Sequence, residues 1–351
     1  MNLLRLVSLV LACCAVLGLS ACDPTRQGID MNTTVAASLP PMRTHCIGRL
    51  LIDLPDHFEM TPLSEVELIY GLDENWRKVK VTVPRVNETQ PTLQALTAKL
   101  VAELTSRYEA DTPTKNMLAS ARTADSETEL IRAHRESLSS FDVYVFHQIA
   151  SAVGLFRSAS YKKDKPQDIE AKLLSIAQST RYFPDPDKVG KGACLGPLLI
   201  DAGQDGEWFH ITFLSDKMPG VYVSINTNSL REKAEDEGLI GRTTRRTAEF
   251  LTPIGMKFDF IRKGKVAIGG RPGEEQGYKY VENDVQHFNF MAEILQDKSA
   301  TFEEPVISIE LTMGGRRPSG GEYFGSPMNE RDALALWDAI VKSIRPRPGA
   351  V

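Results

Sequence analysis

Two stretches of this chain are nearly the same: "CIGRLLIDLP" from Cys46 and "CLGPLLIDAG" from Cys194. Six of the eight positions in C-[IL]-G-x-L-L-I-D are identical, and the copies lie 148 residues apart. That spacing is too long for a solenoid, whose units recur every ~20–50 residues. It leaves a chance recurrence or a duplicated domain, and a duplication should also match at its far end. The segments "DIEAKLLSIAQSTR" and "DALALWDAIVKSIR" align without gaps on Asp168/Asp332, Ala171/Ala335, Ile176/Ile340, Ser179/Ser343 and Arg181/Arg345. The offset grows from 148 to 164, so the second unit carries about sixteen extra residues. The pattern predicts two sister domains.

Both closing segments read as amphipathic helices. Ala333, Leu336, Trp337, Ile340 and Ile344 fall on one face, as do Ile169, Leu173, Ile176 and Ala177. Pro166 and Asn329 supply start signals. A further helix over Pro91–Tyr108 aligns Leu93, Leu96, Leu100 and Leu104, and a shorter one is expected over Ser229–Glu237. Most of the remainder has period two. Val79, Val81 and Val83 alternate with Lys78, Lys80 and Thr82, while Phe209, Ile211 and Phe213 share a face. This is the pattern of half-buried antiparallel strands. With no βαβ alternation, the expected fold class is α+β: two related domains, each a mainly antiparallel sheet packed with helices. Their limits are set at 46–184 and 193–347, with 185–192 as the linker.

The first 21 residues have the form of a signal peptide, with Arg5 ahead of an apolar run from Leu6 to Ala21. The run ends in "LSAC", which resembles a lipobox and makes Cys22 the expected lipidation site. Several acyl chains would then tether the chain to a membrane rather than span it. Residues 22–45 are polar, small and proline-dotted, a tether of roughly 25 Å reach. The expected location is the periplasm, anchored to the inner or the outer membrane.

With 41 basic against 46 acidic residues the chain is mildly acidic, and no Lys/Arg block supports nucleic-acid binding. The six histidines lack metal-site spacing, and His147, His210 and His287 sit in strand patterns as structural residues. No serine-hydrolase elbow or P-loop is present. Asp53 and Asp201 recur with the repeat and read as turn caps. No catalytic residue, metal or cofactor is expected. The loop Gly314–Gly325 carries Arg316, Arg317, Tyr323 and Phe324, residue types enriched in protein interfaces, although a solvated loop with one aromatic tucked inward is an equal alternative. Cys46 and Cys194 occupy equivalent positions and admit either a disulfide or two buried thiols.

At "HCIGRLLIDLP", "ACLGPLLID" and the two closing helices the chain resembles the periplasmic lipoprotein immunity proteins paired with type VI secretion phospholipase effectors, the fourth lipase-effector class. The resemblance covers about Thr44 to Arg347. It implies two α+β domains acting as a claw on the lid region of a cognate lipase, with no catalysis, as a monomer in a one-to-one complex. The competing readings are a two-lobed small-molecule-binding lipoprotein, for which Trp76 and Trp208 could line a cleft, and a lipid-anchored enzyme. Trp337, on an apolar helix face, belongs in the core.

Overall fold

The computed structural model describes residues 39–351 apart from 63, 72–76, 85–91, 108–115, 136–139, 161–164, 233–236, 247–257, 283 and 317–321. The signal segment, Cys22 and most of the tether lie outside the described residues, as do Trp76 and Arg317. In the first half, β1 (Met42–Gly48) turns into β2 (Leu50–Pro55). Then come β3 (Glu59–Met60), β4 (Glu65–Tyr70), β5 (Arg77–Thr82) and α1 (Leu93–Ser106). Four long strands follow: β6 (Leu118–Asp125), β7 (Thr128–His134), β8 (Phe141–Ile149) and β9 (Ala152–Ser160). Helix α2 (Pro166–Ser179) and β10 (Arg181–Tyr182) close the half.

The second half begins with β11 (Ala193–Leu195), β12 (Leu198–Ile200), β13 (Gly206–Leu214) and β14 (Val221–Asn228). Helix α3 (Leu239–Arg246) precedes β15 (Asp259–Ile268), β16 (Arg271–Glu282), β17 (Val285–Ile294) and β18 (Val306–Met313). A small hairpin, β19 (Gly315–Arg316) with β20 (Tyr323–Phe324), leads to α4 (Glu330–Ser343) and β21 (Arg345–Pro346).

Local chemistry accounts for these boundaries. Thr92 caps α1 by accepting from the Ala95 amide, and Asn329 caps α4 by accepting from Asp332. Pro166 opens α2, where a missing N–H costs nothing. Gly48 and Gly196, the glycines of the repeat, have φ of +59° and +55°. Only glycine adopts that conformation freely, so both copies keep it where the hairpin turns. Of the helix expected over Ser229–Glu237, residues 233–236 lie outside the described residues, 229–232 are not helical, and α3 starts at Leu239. Ser229 continues the ladder by donating its amide to Glu207, and the Asn228 side chain accepts from the Leu230 amide, a turn that competes with helix.

The large sheet runs β15-β16-β17-β18-β14-β13-β4-β5-β9-β8-β7-β6, with β3 beside β13. Its order reads the same from either edge once β4–β9 are matched with β13–β18. The halves meet in the middle, where Phe209 pairs with Val66. The small sheet, β10-β12-β11-β1-β2-β21, has the same property: Arg181 faces Leu199, Arg345 faces Leu51, and Ile47 faces Leu195 across the centre.

One core spans both halves. Val66, Val81, Phe156 and Leu173 belong to the same buried cluster as Phe209, Val223, Leu311 and Trp337. The buried Arg49–Glu207 ion pair, 2.7 Å, also crosses between them. Residues Ala37–Val351 accordingly make one compact unit. Helices α2 and α4 lie on the core face of the large sheet. On its other face, α1 packs Leu93, Leu96 and Leu104 against Ile131, Ala133, Phe146 and Val153. Helix α3 sits on that same face at the opposite end, where the Ile240 amide donates to Glu274 and the Thr243 hydroxyl to Gln276.

Candidate functional site

Arg316, Tyr323 and Phe324 of the expected interface lie on the small β19–β20 hairpin. The Tyr323 hydroxyl donates to Glu282, its ring stands edge-on to His287 at 5.3 Å, and Phe324 abuts Gly220. Both aromatics are half-buried. Arg316 lies on β19.

Asp53, one of the two repeated aspartates, lies within a strand rather than at its end. Strand β2 runs past Asp53 to Pro55 because Met42–Thr44 continue the ladder opposite. The Asp53 carboxylate accepts from Thr44 and pairs with Arg345 at 3.1 Å, while Asp53 N–H donates to Ser343. Arg345 and Ser343 are themselves repeat residues, so part of the motif joins β2 of one half to α4 and β21 of the other. Asp201 is exposed.

The histidines in strands are held by neighbours. His147 bonds Thr128 at 2.9 Å and His210 bonds Asn226 at 2.8 Å. His287 stacks on Tyr280 at 4.8 Å. Among the described residues no group of three His, Cys, Asp or Glu could hold a metal ion.

Cys46 and Cys194 are joined as a disulfide, with Cα atoms 5.8 Å apart, and it links β1 to β11. Beside it opens a cleft of about 470 Å³, lined by Arg43, His45, Tyr182, Pro184, Asp187 and Phe213 among others. Within it Arg43 pairs with Glu59 at 2.9 Å. Burial, and then the Arg43 charge, lower the His45 imidazole to about 4, so it is neutral at ordinary pH and packs edge-on against Phe213.

The most exposed aromatic presented by the central strands lies elsewhere. Between α1 and α3, strands β14, β13, β4 and β5 turn their second face outward. With Phe209, Ile211 and Phe213 in the core, alternation places Trp208 on that face, where it is 38 % exposed. Around it stand Glu65 and Glu67 of β4 and Lys78 and Lys80 of β5. Lys78 pairs with Glu67 at 2.7 Å, and Lys80 with Glu65 at 2.9 Å and Glu67 at 3.4 Å. Burial pulls the Lys80 ammonium down, but its bond to Glu65 and the two carboxylate charges outweigh this and hold it above its ordinary range. Sequence reasoning missed this surface. The alternation around Phe209 could have oriented Trp208, but nothing local places β4 and β5 beside it.

Residues 189–349 match the family model described as Tle cognate immunity protein 4 C-terminal domain. Among solved structures, the chain is similar to the apo immunity protein TplEi of T6SS from Pseudomonas aeruginosa, at 21 % identity and a TM-score of 0.60. It is also similar to a chain of the Tle4–Tli4 complex, at 22 % identity and a TM-score of 0.60. A third match is TplEi complexed with "L" peptide, at 21 % and 0.57. Each alignment covers 88 % of this chain and 98 % of the other. At this identity the likeness concerns the fold, which is α+β in all. None of the curated proteins matches the chain.

Proposed function

We propose that this chain, whose residues 189–349 belong to the Tle cognate immunity protein 4 family, is an immunity protein that binds and inhibits a lipase effector of a type VI secretion system. It acts by association, one to one, and protects the cell that makes it. The family match carries the proposal. The shared fold supports it, since one structure of that fold is a complex named Tle4–Tli4. The proposal includes a duplication, with 46–184 and 193–347 as related domains fused through one shared core, and the matching strand orders of the two halves support it.

The test is periplasmic production of each lipase effector that the producing strain secretes, with and without this protein. Cells making the lipase alone should lyse, and co-production of this protein should restore growth. In vitro, inhibition should be complete near equimolar protein. Undiminished hydrolysis at saturating protein would end the proposal.

The same proposal puts the protein in the periplasm, tethered through Cys22. The Leu19-Ser20-Ala21-Cys22 signal motivates it, and no described helix is long and apolar enough to cross a membrane. Cys22→Ser is expected to move the protein from the membrane pellet to the soluble periplasmic fraction. Unchanged fractionation would refute the anchor.

A further inference from the structure

We infer that the outward face of the central strands, centred on Trp208, is where the lipase seats, an inference that rests on the immunity reading above. The fold itself does not explain a tryptophan there. The strand buries Phe209, Ile211 and Phe213, and a small polar residue at 208 would serve the sheet as well as Thr212 does. Tryptophan half-exposed on an otherwise polar floor is the residue type that dominates interfaces, because it offers a large apolar area at little entropic cost. The Lys78 ammonium stands 6.0 Å from its ring and adds a cation–π contact.

Charge defines the occupant. Lys78 and Lys80 are each matched by carboxylates of the neighbouring strand, so the floor is ionic yet close to neutral. It suits an uncharged segment of the lipase: one apolar side chain on Trp208, flanked by polar groups that meet the Glu65–Lys80 and His210–Asn226 pairs. A strongly acidic or basic segment would have to break those pairs. Shape agrees, because α1 and α3 stand on the same face at opposite ends and leave the floor between them.

The sheet edges are poor alternatives. Strand β6 shifts register between Leu118 and Ser120 and again between Thr123 and Asp125, and β15 shifts between Phe260 and Arg262. Such irregularities blunt edges against added strands. A partner therefore meets the face rather than extending the sheet.

The experiment is a titration of the intact mature chain with the purified lipase effector that it neutralises in cells, comparing wild type, Trp208→Ala, Trp208→Tyr and the edge variant Ser120→Arg. Trp208→Ala is expected to weaken binding ~30-fold or more, Trp208→Tyr only several-fold, and Ser120→Arg not at all. Thermal midpoints identify any variant that loses its fold. A photo-crosslinking phenylalanine analogue at position 208 gives a second measurement and should form an adduct with the lipase.

Wild-type affinity in Trp208→Ala, or no adduct from a complex that forms, overturns the inference and leaves the immunity reading intact. Loss of binding in Ser120→Arg alone moves the contact to the edge. Self-association that depends on Trp208 without lipase makes the face a homodimer contact and overturns the inference too. Wild-type protein that ignores the lipase removes both readings together.

Discussion

Replacing Trp337 with alanine is expected to destabilise the protein by about 3–5 kcal/mol, the range for truncating a buried aromatic. Trp337 lies on α4 with none of its surface exposed. Its ring stacks on Phe290 at 5.5 Å, and its Nε1–H donates to the Glu275 carboxylate at 2.8 Å. Two costs therefore combine. The cavity opens where α4 meets the large sheet, and a buried carboxylate loses a donor. Arg262, 3.7 Å from Glu275, compensates for only part of this. Trp337→Phe separates the two costs: it keeps most of the packing and loses the hydrogen bond, with an expected loss of about 1–3 kcal/mol. Urea unfolding of both variants measures the difference. If the alanine variant lost less than the phenylalanine variant, the packing account would be wrong.

The second large effect concerns the bond between Cys46 and Cys194. It closes a loop with 148 residues of separation, for which the chain-entropy model gives a ceiling of about 5 kcal/mol. The double variant Cys46→Ala/Cys194→Ala is expected to lose about 2–5 kcal/mol. Both side chains sit in a small cluster with Leu51, Leu199 and Phe183, so packing lost at the alanines is minor beside the lost constraint. A dithiothreitol titration of the wild type should lower the unfolding midpoint to that of the double variant. A midpoint insensitive to reduction would show that the bond contributes nothing.

Much of the fold can be read from local pattern. The 3.6-residue periods of α2 and α4, the Asn329 cap and the valine alternation of β5 all follow from neighbours within a few turns. The "AIGGRP" turn does as well, since Gly269 and Gly270 take positive φ between Ile268 and Arg271. What eluded sequence reasoning depends on long-range pairing. Asp53 resembled a cap because the extent of β2 is set by Met42–Thr44, and its partner Arg345 is at the other end of the chain. The contacts of Tyr323 with His287 and of Phe324 with Gly220 are of the same kind, since neither partner is near them in sequence. The Trp208 floor needs two strands from each half, and no local signal specifies the register of β4 on β13.

That central seam has a consequence for how the protein is made. Val66 cannot complete its ladder until Phe209, 143 residues later, arrives, so a nascent chain carries one side of β4 as a bare edge for that long. Non-local pairing of this kind slows folding, and an unpaired apolar edge is a template for aggregation. On the proposed export route the danger falls in transit, before the second half has emerged from the translocon. The supply of folded protein is then set by how many chains are finished, and holding chaperones rather than faster initiation would raise it.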